Sequence, residues 1–204
     1  SLLGSMLNKV MPAKVTAQYL PFQFMWSVLY KDPQARVHDV GCGNAVVLKY
    51  FAALGYSNLS GSDPFLDADI QYPGLRIRKE EWKKDDRTYD AIMMNHVLEH
   101  CTNPNEFLEI ARAKLRKGGK LLVRIPLADS YGFKKYKEHW VGMEAPRHIH
   151  LFTQKSFALL AKQCNLAIYK TEFDASGWHY AVSEGYKKGI LLKIMIVLSS
   201  KSKK

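Results

Sequence analysis

Two patterns in this 204-residue chain gather residue types that do chemistry. The first is Val37-His38-Asp39-Val40-Gly41-Cys42-Gly43, an apolar run that reaches an acid and then two glycines one residue apart. Glycines at such a point let the backbone come close to a ligand. A dinucleotide corner would read G-x-G-x-x-G and set a pyrophosphate on the helix that follows. Here the sixth position is Val46, which obstructs that close helix–strand packing and argues against a pyrophosphate. Asp39 is a poor neighbour for an anion and a good one for an amino group or a sulfonium. Asp63 follows Gly43 by 20 residues, the place of a carboxylate that accepts hydrogen bonds from both ribose hydroxyls.

The second pattern is rich in histidine. His96, Glu99 and His100 fall at i, i+3 and i+4, so a helix there would put all three on one face. Two imidazoles and a carboxylate would suit a transition metal, but the expectation adopted is that they organise a loop and hold none. Further on, Trp140, Arg147, His148 and His150 crowd eleven positions. Trp140 offers a flat apolar wall, Arg147 a grip for a carboxylate or phosphate, and His148 or His150 a place for a hydroxyl proton. The competing reading packs Trp140 in the core and pairs Arg147 with Glu144. As general base the expectation is His148 first and His100 second.

These residues need elements to hold them. "RVHDV" reads as a short buried strand, and "NAVVLKYFAALG" as a helix stopped by Gly55. "NLSGSD" and "YDAIMMN" (Tyr89–Asn95) read as further strands, the latter apolar through its middle as a parallel strand should be. "NPNEFLEIARAKLRKGG" reads as a helix with Asn103 as N-cap, Pro104 first, and Gly118-Gly119 at its end. "KLLVRIP" reads as a strand, Thr153–Asn165 as a helix capped by Thr153, and "LAIYKTEF" as a final strand. The alternation predicts an α/β fold, a doubly wound, Rossmann-like, mostly parallel sheet flanked by helices in a single domain. The carboxyl edge of such a sheet is where its ligand sits.

In that order, "VHDVGCGNA", "GSDPF", "YDAIMMNHVLEHCTNP" and "LRKGGKLLVRIP" resemble the successive motifs of class I S-adenosylmethionine-dependent methyltransferases. The resemblance runs from about Arg36 to Phe173. It implies S-adenosylmethionine as cofactor, with Asp39, Gly41 and Gly43 at its methionine end and Asp63 on the ribose. It puts Asn95 and His96 at the border of cofactor and substrate. Ala45 stands where the family commonly has glycine, and "RKEEWKKDD" offers Glu80, Glu81 and Trp82 without a clear adenine-contacting acid. In the ubiquinone-type O-methyltransferases and certain RNA-end methyltransferases, the spacing of His96, Glu99 and His100 supplies metal ligands, with an acid at the first position. The stretch from Trp140 to Phe152 resembles the "W…PRH…HF" element of a bacterial subgroup often encoded with polysaccharide or lipid biosynthesis functions. The implied activity is O-methylation of a small molecule or a glycan or lipid intermediate. The alternatives are a nucleic-acid methyltransferase and a non-catalytic cofactor binder of the same fold.

Composition bounds the partners. A net charge of +11, from 30 Lys+Arg against 19 Asp+Glu, admits nucleic acid. Against that, "NHVL" follows the strand Tyr89–Asn95 where a base-methylating enzyme would carry an N-P-P-Y-type tetrapeptide, and the lysines show no aromatic ladder among them. Cys42, Cys101 and Cys164 are odd in number with no CxxC pairing, which suggests a reducing, cytoplasmic compartment. Residues 1–30 are expected to form an N-terminal helical or lid segment, with Ser1–Ser5 read as a vector remnant, and residues 31–185 the methyltransferase domain. Residues 186–204 are apolar and then Lys-rich. "GILLKIMIVLSS" is shorter than the roughly 20 residues of a bilayer span and carries Lys193. Packing on the domain is expected, with peripheral membrane contact as the alternative.

Overall fold

Val37–Val40 is buried at all four positions, with no alternation of sides. A strand reads this way when it has neighbours on both edges and cover on both faces. In the computed structural model, which describes residues 32–84, 86–173 and 182–185, this strand (β1) lies between two parallel partners. One is β2 (Leu59–Ser62) and the other β5 (Tyr89–Asn95). The remaining strands are β3 (Ile70–Tyr72), β4 (Leu75–Arg78) and β6 (Leu115–Arg124), and the sheet order is β3-β4-β2-β1-β5-β6. Among the described strands only the β3–β4 pair is antiparallel, a hairpin turned at Pro73-Gly74 on the sheet edge. Among the described residues, α1 (Val46–Ala53) follows β1, and α2 (Pro104–Lys114) precedes β6.

The described contacts divide the chain into two compact units, one up to Val97 with Glu106–Arg124, the other Leu98–Asn105 with the chain from Ile125 on. The first holds the sheet and a core in which Val37, Val47, Leu48, Phe51, Leu59, Ile77 and Met93 are buried. Gly61 sits opposite Asp39 in the β1–β2 register, where a Cβ would lie 2.6 Å from Cys42 Sγ and 2.9 Å from Leu48 Cδ1. Its missing side chain is what lets the corner after β1 settle onto β2.

The second unit holds α3 (Tyr131–Tyr136) and α4 (Gln154–Gln163). Ser130 caps α3 by accepting the Phe133 amide, and Thr153 caps α4 in a reciprocal capping box with Ser156. Short 3₁₀ turns cover Leu98–His100, Lys137–His139 and Val141–Met143.

Three expectations need correction. The helix before β6 ends at Lys114, and β6 takes over at Leu115, so Gly118-Gly119 lie inside the strand at a shift in its pairing with β5. Residues 166–173 are not a strand. Ile168, Tyr169 and Phe173 are exposed and no described strand lies beside them, and an extended run gains its stability only from such a neighbour. Finally, no helix runs through His96–His100: His96 is left-handed at φ 57° and only Leu98–His100 turns. The N-terminal segment 1–30 and the C-terminal segment 186–204 lie outside the described residues. Among the described residues no helix is long and apolar enough to cross a membrane.

Candidate active site

The glycine corner is built by β1, β2 and the turn between β1 and α1. Gly41 and Gly43 take left-handed φ values of 65° and 49°, which a residue with a Cβ adopts at a cost. Ala45 also sits in the left-handed region, at φ 55°, so this alanine occupies a conformation that favours glycine. The Gly41 amide donates to Ser62 O at 2.8 Å, which ties the corner to the end of β2. Asp63 follows directly, its amide donating to Arg78 O at 3.0 Å. Its Oδ2 accepts the Gly43 amide at 2.9 Å and its Oδ1 accepts the Phe65 amide at 2.9 Å.

Asp39 is 3% exposed and its Oδ1 has no hydrogen-bond partner. Burial, and then the nearby charge of Asp63, push its carboxyl up to about 8. The same burial, with Asp39 and Asp63 adding to it, pushes the Cys42 thiol up to about 12, which keeps it protonated and unreactive. Asp39 and Asp63 set two acidic side chains beside open backbone, one of them with an orphaned buried oxygen. A Cβ built on Gly43 would meet nothing within 4 Å, so space lies over the corner. A ligand with a sulfonium, an amino group and a ribose fits this donor and acceptor set.

Asn95 closes β5, and its Oδ1 accepts from Arg124 Nη1 at 3.3 Å. The His96 amide donates to Arg124 O at 2.9 Å, so Asn95 and His96 stand at the carboxyl end of the β5–β6 pair. Phe65, two residues after Asp63 and not among the expected site residues, is 93% exposed. The available signal was an aromatic two residues after Asp63.

In the second unit, the histidines assemble differently from the expected helical face. Glu99, His100 and His148 come together, with one ligand atom from each within 4.8 Å of the others. The imidazole rings of His100 and His148 meet edge-on at 4.7 Å between centroids. His100 Nδ1 lies 2.9 Å from Arg147 O, and His148 Nδ1 lies 2.8 Å from Gly142 O. A carbonyl only accepts, so each Nδ1 carries the hydrogen and each Nε2 is the atom left for chemistry. His148 is nearly buried and Glu99 fully so, with Nε2 and Oε1 4.0 Å apart. This donor set can hold a divalent transition metal.

Around this cluster the other expected residues take separate places. The Ile149 and His150 amides donate to Glu99 O at 2.9 and 3.2 Å, which fixes the strand of chain carrying the histidines. The His150 ring lies 5.7 Å from Phe152, with its Nε2 buried and without a hydrogen-bond partner. Trp140 packs against Gly132 and Gly142, and its ring meets Phe133 edge-on at 5.8 Å. Arg147 pairs with Glu144 at 2.5 Å, and the second oxygen of Glu144 lies 3.2 Å from His148 Nε2. The role of Glu144 beside His148 was missed. Its i, i+3, i+4 spacing to Arg147 and His148 was the available signal.

A family model described as a methyltransferase domain matches residues 15–171. The chain belongs to this methyltransferase family. It is an S-adenosylmethionine-dependent methyltransferase domain, and the glycine corner is the part whose chemistry fits that cofactor. The methyltransferase is similar to the ubiquinone biosynthesis O-methyltransferase of Maricaulis maris, 25% identical over 133 residues that cover 57% of this chain and 51% of the relative. It is also similar to the tRNA U34 carboxymethyltransferase of Methylococcus capsulatus, 28% identical over 100 residues, 43% of this chain and 31% of that one. The matches span from 30% to 51% of the length of these curated relatives. Among solved structures, a mycolic acid cyclopropane synthase complexed with S-adenosylhomocysteine superposes with a TM-score of 0.64 at 16% identity, covering 91% of this chain and 72% of that one. At that identity the likeness is one of fold.

Proposed function

We propose that this methyltransferase transfers a methyl group to a hydroxyl of a small molecule or of a glycan or lipid biosynthetic intermediate, with His148 as general base. The observation that carries the reading is the pair of imidazoles, His100 and His148, each fixed through Nδ1 on a backbone carbonyl. A hydroxyl is a weak nucleophile until its proton is taken, and a held imidazole does that near neutral pH. An O-methyltransferase among the relatives supports the same class of acceptor.

S-adenosylmethionine, when bound, supplies an electrophilic methyl group on a sulfonium. The protein's part is alignment, exclusion of water and one proton transfer. Asp63 accepts from the ribose hydroxyls, and Asp39 with Gly41 and Gly43 faces the amino-acid end. Asn95 and His96 border it at the end of β5, and the Phe65 ring offers a face to the adenine. His148 Nε2 takes the acceptor proton, with His100 beside it. Trp140, Arg147 and His150 contribute to acceptor binding.

A second reading follows from the 4.8 Å grouping: Glu99, His100 and His148 hold a divalent metal that acidifies the acceptor hydroxyl. The experiment offers labelled S-adenosylmethionine to the purified chain with hydroxy acids and phenols, with glycan and lipid extracts, and with total RNA. Label is expected in a hydroxyl-bearing small-molecule or lipid fraction and lost in His148→Gln. Label in RNA that falls steeply with salt would replace this reading with the nucleic-acid one.

A further inference from the structure

We propose that Glu144 is a latch on His148, held shut by Arg147 and opened by an anionic group on the acceptor. The acceptor is then a hydroxyl compound that carries a carboxylate or phosphate close to the hydroxyl. This rests on the reading of His148 as the base.

The latch is one tight turn. The amides of Arg147 and His148 both donate to the Glu144 carbonyl, at 2.9 and 3.2 Å, and bring the three side chains to one side. Glu144 then divides its carboxylate. Oε1 takes Arg147 Nη1 at 2.5 Å, and Oε2 lies 3.2 Å from His148 Nε2. Nε2 also faces Glu99 at 4.0 Å, but that carboxylate is fully buried. Only 4% of the His148 side chain is exposed, against 44% for Glu144 and 71% for Arg147. Glu99 is therefore the fixed wall and Glu144 the movable one.

Two physical consequences make this a latch. Nε2 meets a carboxylate favourably only while it carries a proton, and a base must be bare before it can accept one. Glu144 therefore occupies the position an acceptor hydroxyl has to take. Over a bare Nε2, what holds Glu144 is its exposed ion pair with Arg147, which is weak in water. A carboxylate or phosphate on the acceptor binds the same guanidinium through two parallel hydrogen bonds and competes directly with it. Once Arg147 exchanges partners, nothing in the turn holds Glu144 over a bare Nε2, whose lone pair repels a carboxylate. A hydroxyl compound without the anion meets a closed base.

The test uses the full chain saturated with S-adenosylhomocysteine and titrated with phenyl phosphate at constant ionic strength, with chloride as the control anion. Calorimetry reads affinity, and ¹⁵N-histidine spectra read the His148 Nε2 resonance. Saturable binding that moves this resonance is expected. Glu144→Gln should tighten binding about fivefold, the scale of one exposed ion pair removed as competitor. Arg147→Ala should abolish saturable binding while its melting temperature stays that of the parent, and Arg147→Lys should bind weakly. Equal binding in Arg147→Ala, no gain in Glu144→Gln, or binding that leaves the Nε2 resonance unmoved would each overturn the latch. None of these readouts needs turnover. A His148 that is not the base fails the methyl-transfer test and leaves this titration as it stands.

Discussion

Asp63 reaches back 20 residues to close the glycine corner, accepting the Gly43 amide on Oδ2 at 2.9 Å. The acid that ends β2 and the turn that follows β1 therefore form one object. Each oxygen of Asp63 keeps a further lone pair after its backbone bond. If Asp63 accepts from the ribose as proposed, Asp63→Ala removes that acceptor and loosens Gly43 together. Loss of hydrogen bonds to a charged acceptor costs roughly 1.5–3 kcal/mol, so affinity for S-adenosylhomocysteine should fall about tenfold to a hundredfold. Calorimetry with unchanged affinity would remove Asp63 from the site.

Asp39 should make cofactor binding depend on pH. Its carboxyl is raised to about 8, first by burial and then by Asp63. The folded chain thus holds a proton that the unfolded chain has released over the interval from the usual carboxylate range up to about 8. Stability from this group is present at low pH and declines as pH rises through that interval. A cationic ligand favours the ionised form, so its binding releases a proton and its affinity rises toward pH 8, by at most about tenfold per pH unit. Asp39→Asn should flatten the profile. An Asp39→Asn protein with the parental pH profile would refute the role.

Much of this was legible in the sequence, and the boundary is physical. The strand Val37–Val40, the glycines and Asp63 are close in sequence to the turns they make, so local pattern carried them. The parallel pairing of β1 with β2, joined by α1, follows from the alternation of strand and helix. The Thr153 cap was local too. The histidine cluster was not, because Glu99 and His100 meet His148 across nearly fifty residues of chain. Spacing alone favoured His96 as their companion, and a left-handed residue at His96 breaks that helical periodicity. The stretch 166–173 has strand-like composition, yet strand formation depends on a neighbour that no composition reveals.

Metal dependence separates the two readings of the histidine cluster. With His148 as a bare base, turnover should persist after extensive chelation. Loss of turnover on chelation, restored by manganese or zinc, would make Glu99, His100 and His148 ligands and displace the base. A cobalt spectrum altered by His148→Gln would report the same outcome independently.

Trp140 owes its position to two glycines. A Cβ on Gly132 would lie 2.6 Å from Trp140 Nε1, closer than real contacts allow. Overpacking of this kind costs about 1–3 kcal/mol. Gly132→Ala should therefore lower the melting temperature by several degrees, at about 2–4 °C per kcal/mol for a chain of this size. Affinity for S-adenosylhomocysteine should hold. An unchanged melting temperature would show that the ring is free to move away.

His148 carries the sharpest prediction, because its burial supports two opposed expectations. The side chain is 4% exposed, as a packing histidine would be, yet Nε2 faces two carboxylates and not an apolar wall. If Nε2 takes the acceptor proton, His148→Gln should lower turnover by about 10²–10⁴-fold and leave cofactor affinity intact. Arg147→Ala should mainly raise the acceptor's KM, since a grip on an anionic group acts in ground state and transition state alike. A packing histidine behaves otherwise: its removal frees Gly142 O from its partner, lowers the melting temperature and weakens both ligands together. Kinetics, cofactor titration and thermal melting on the same two variants separate these patterns. A His148→Gln protein that melts lower while keeping its turnover per folded molecule would end the catalytic reading.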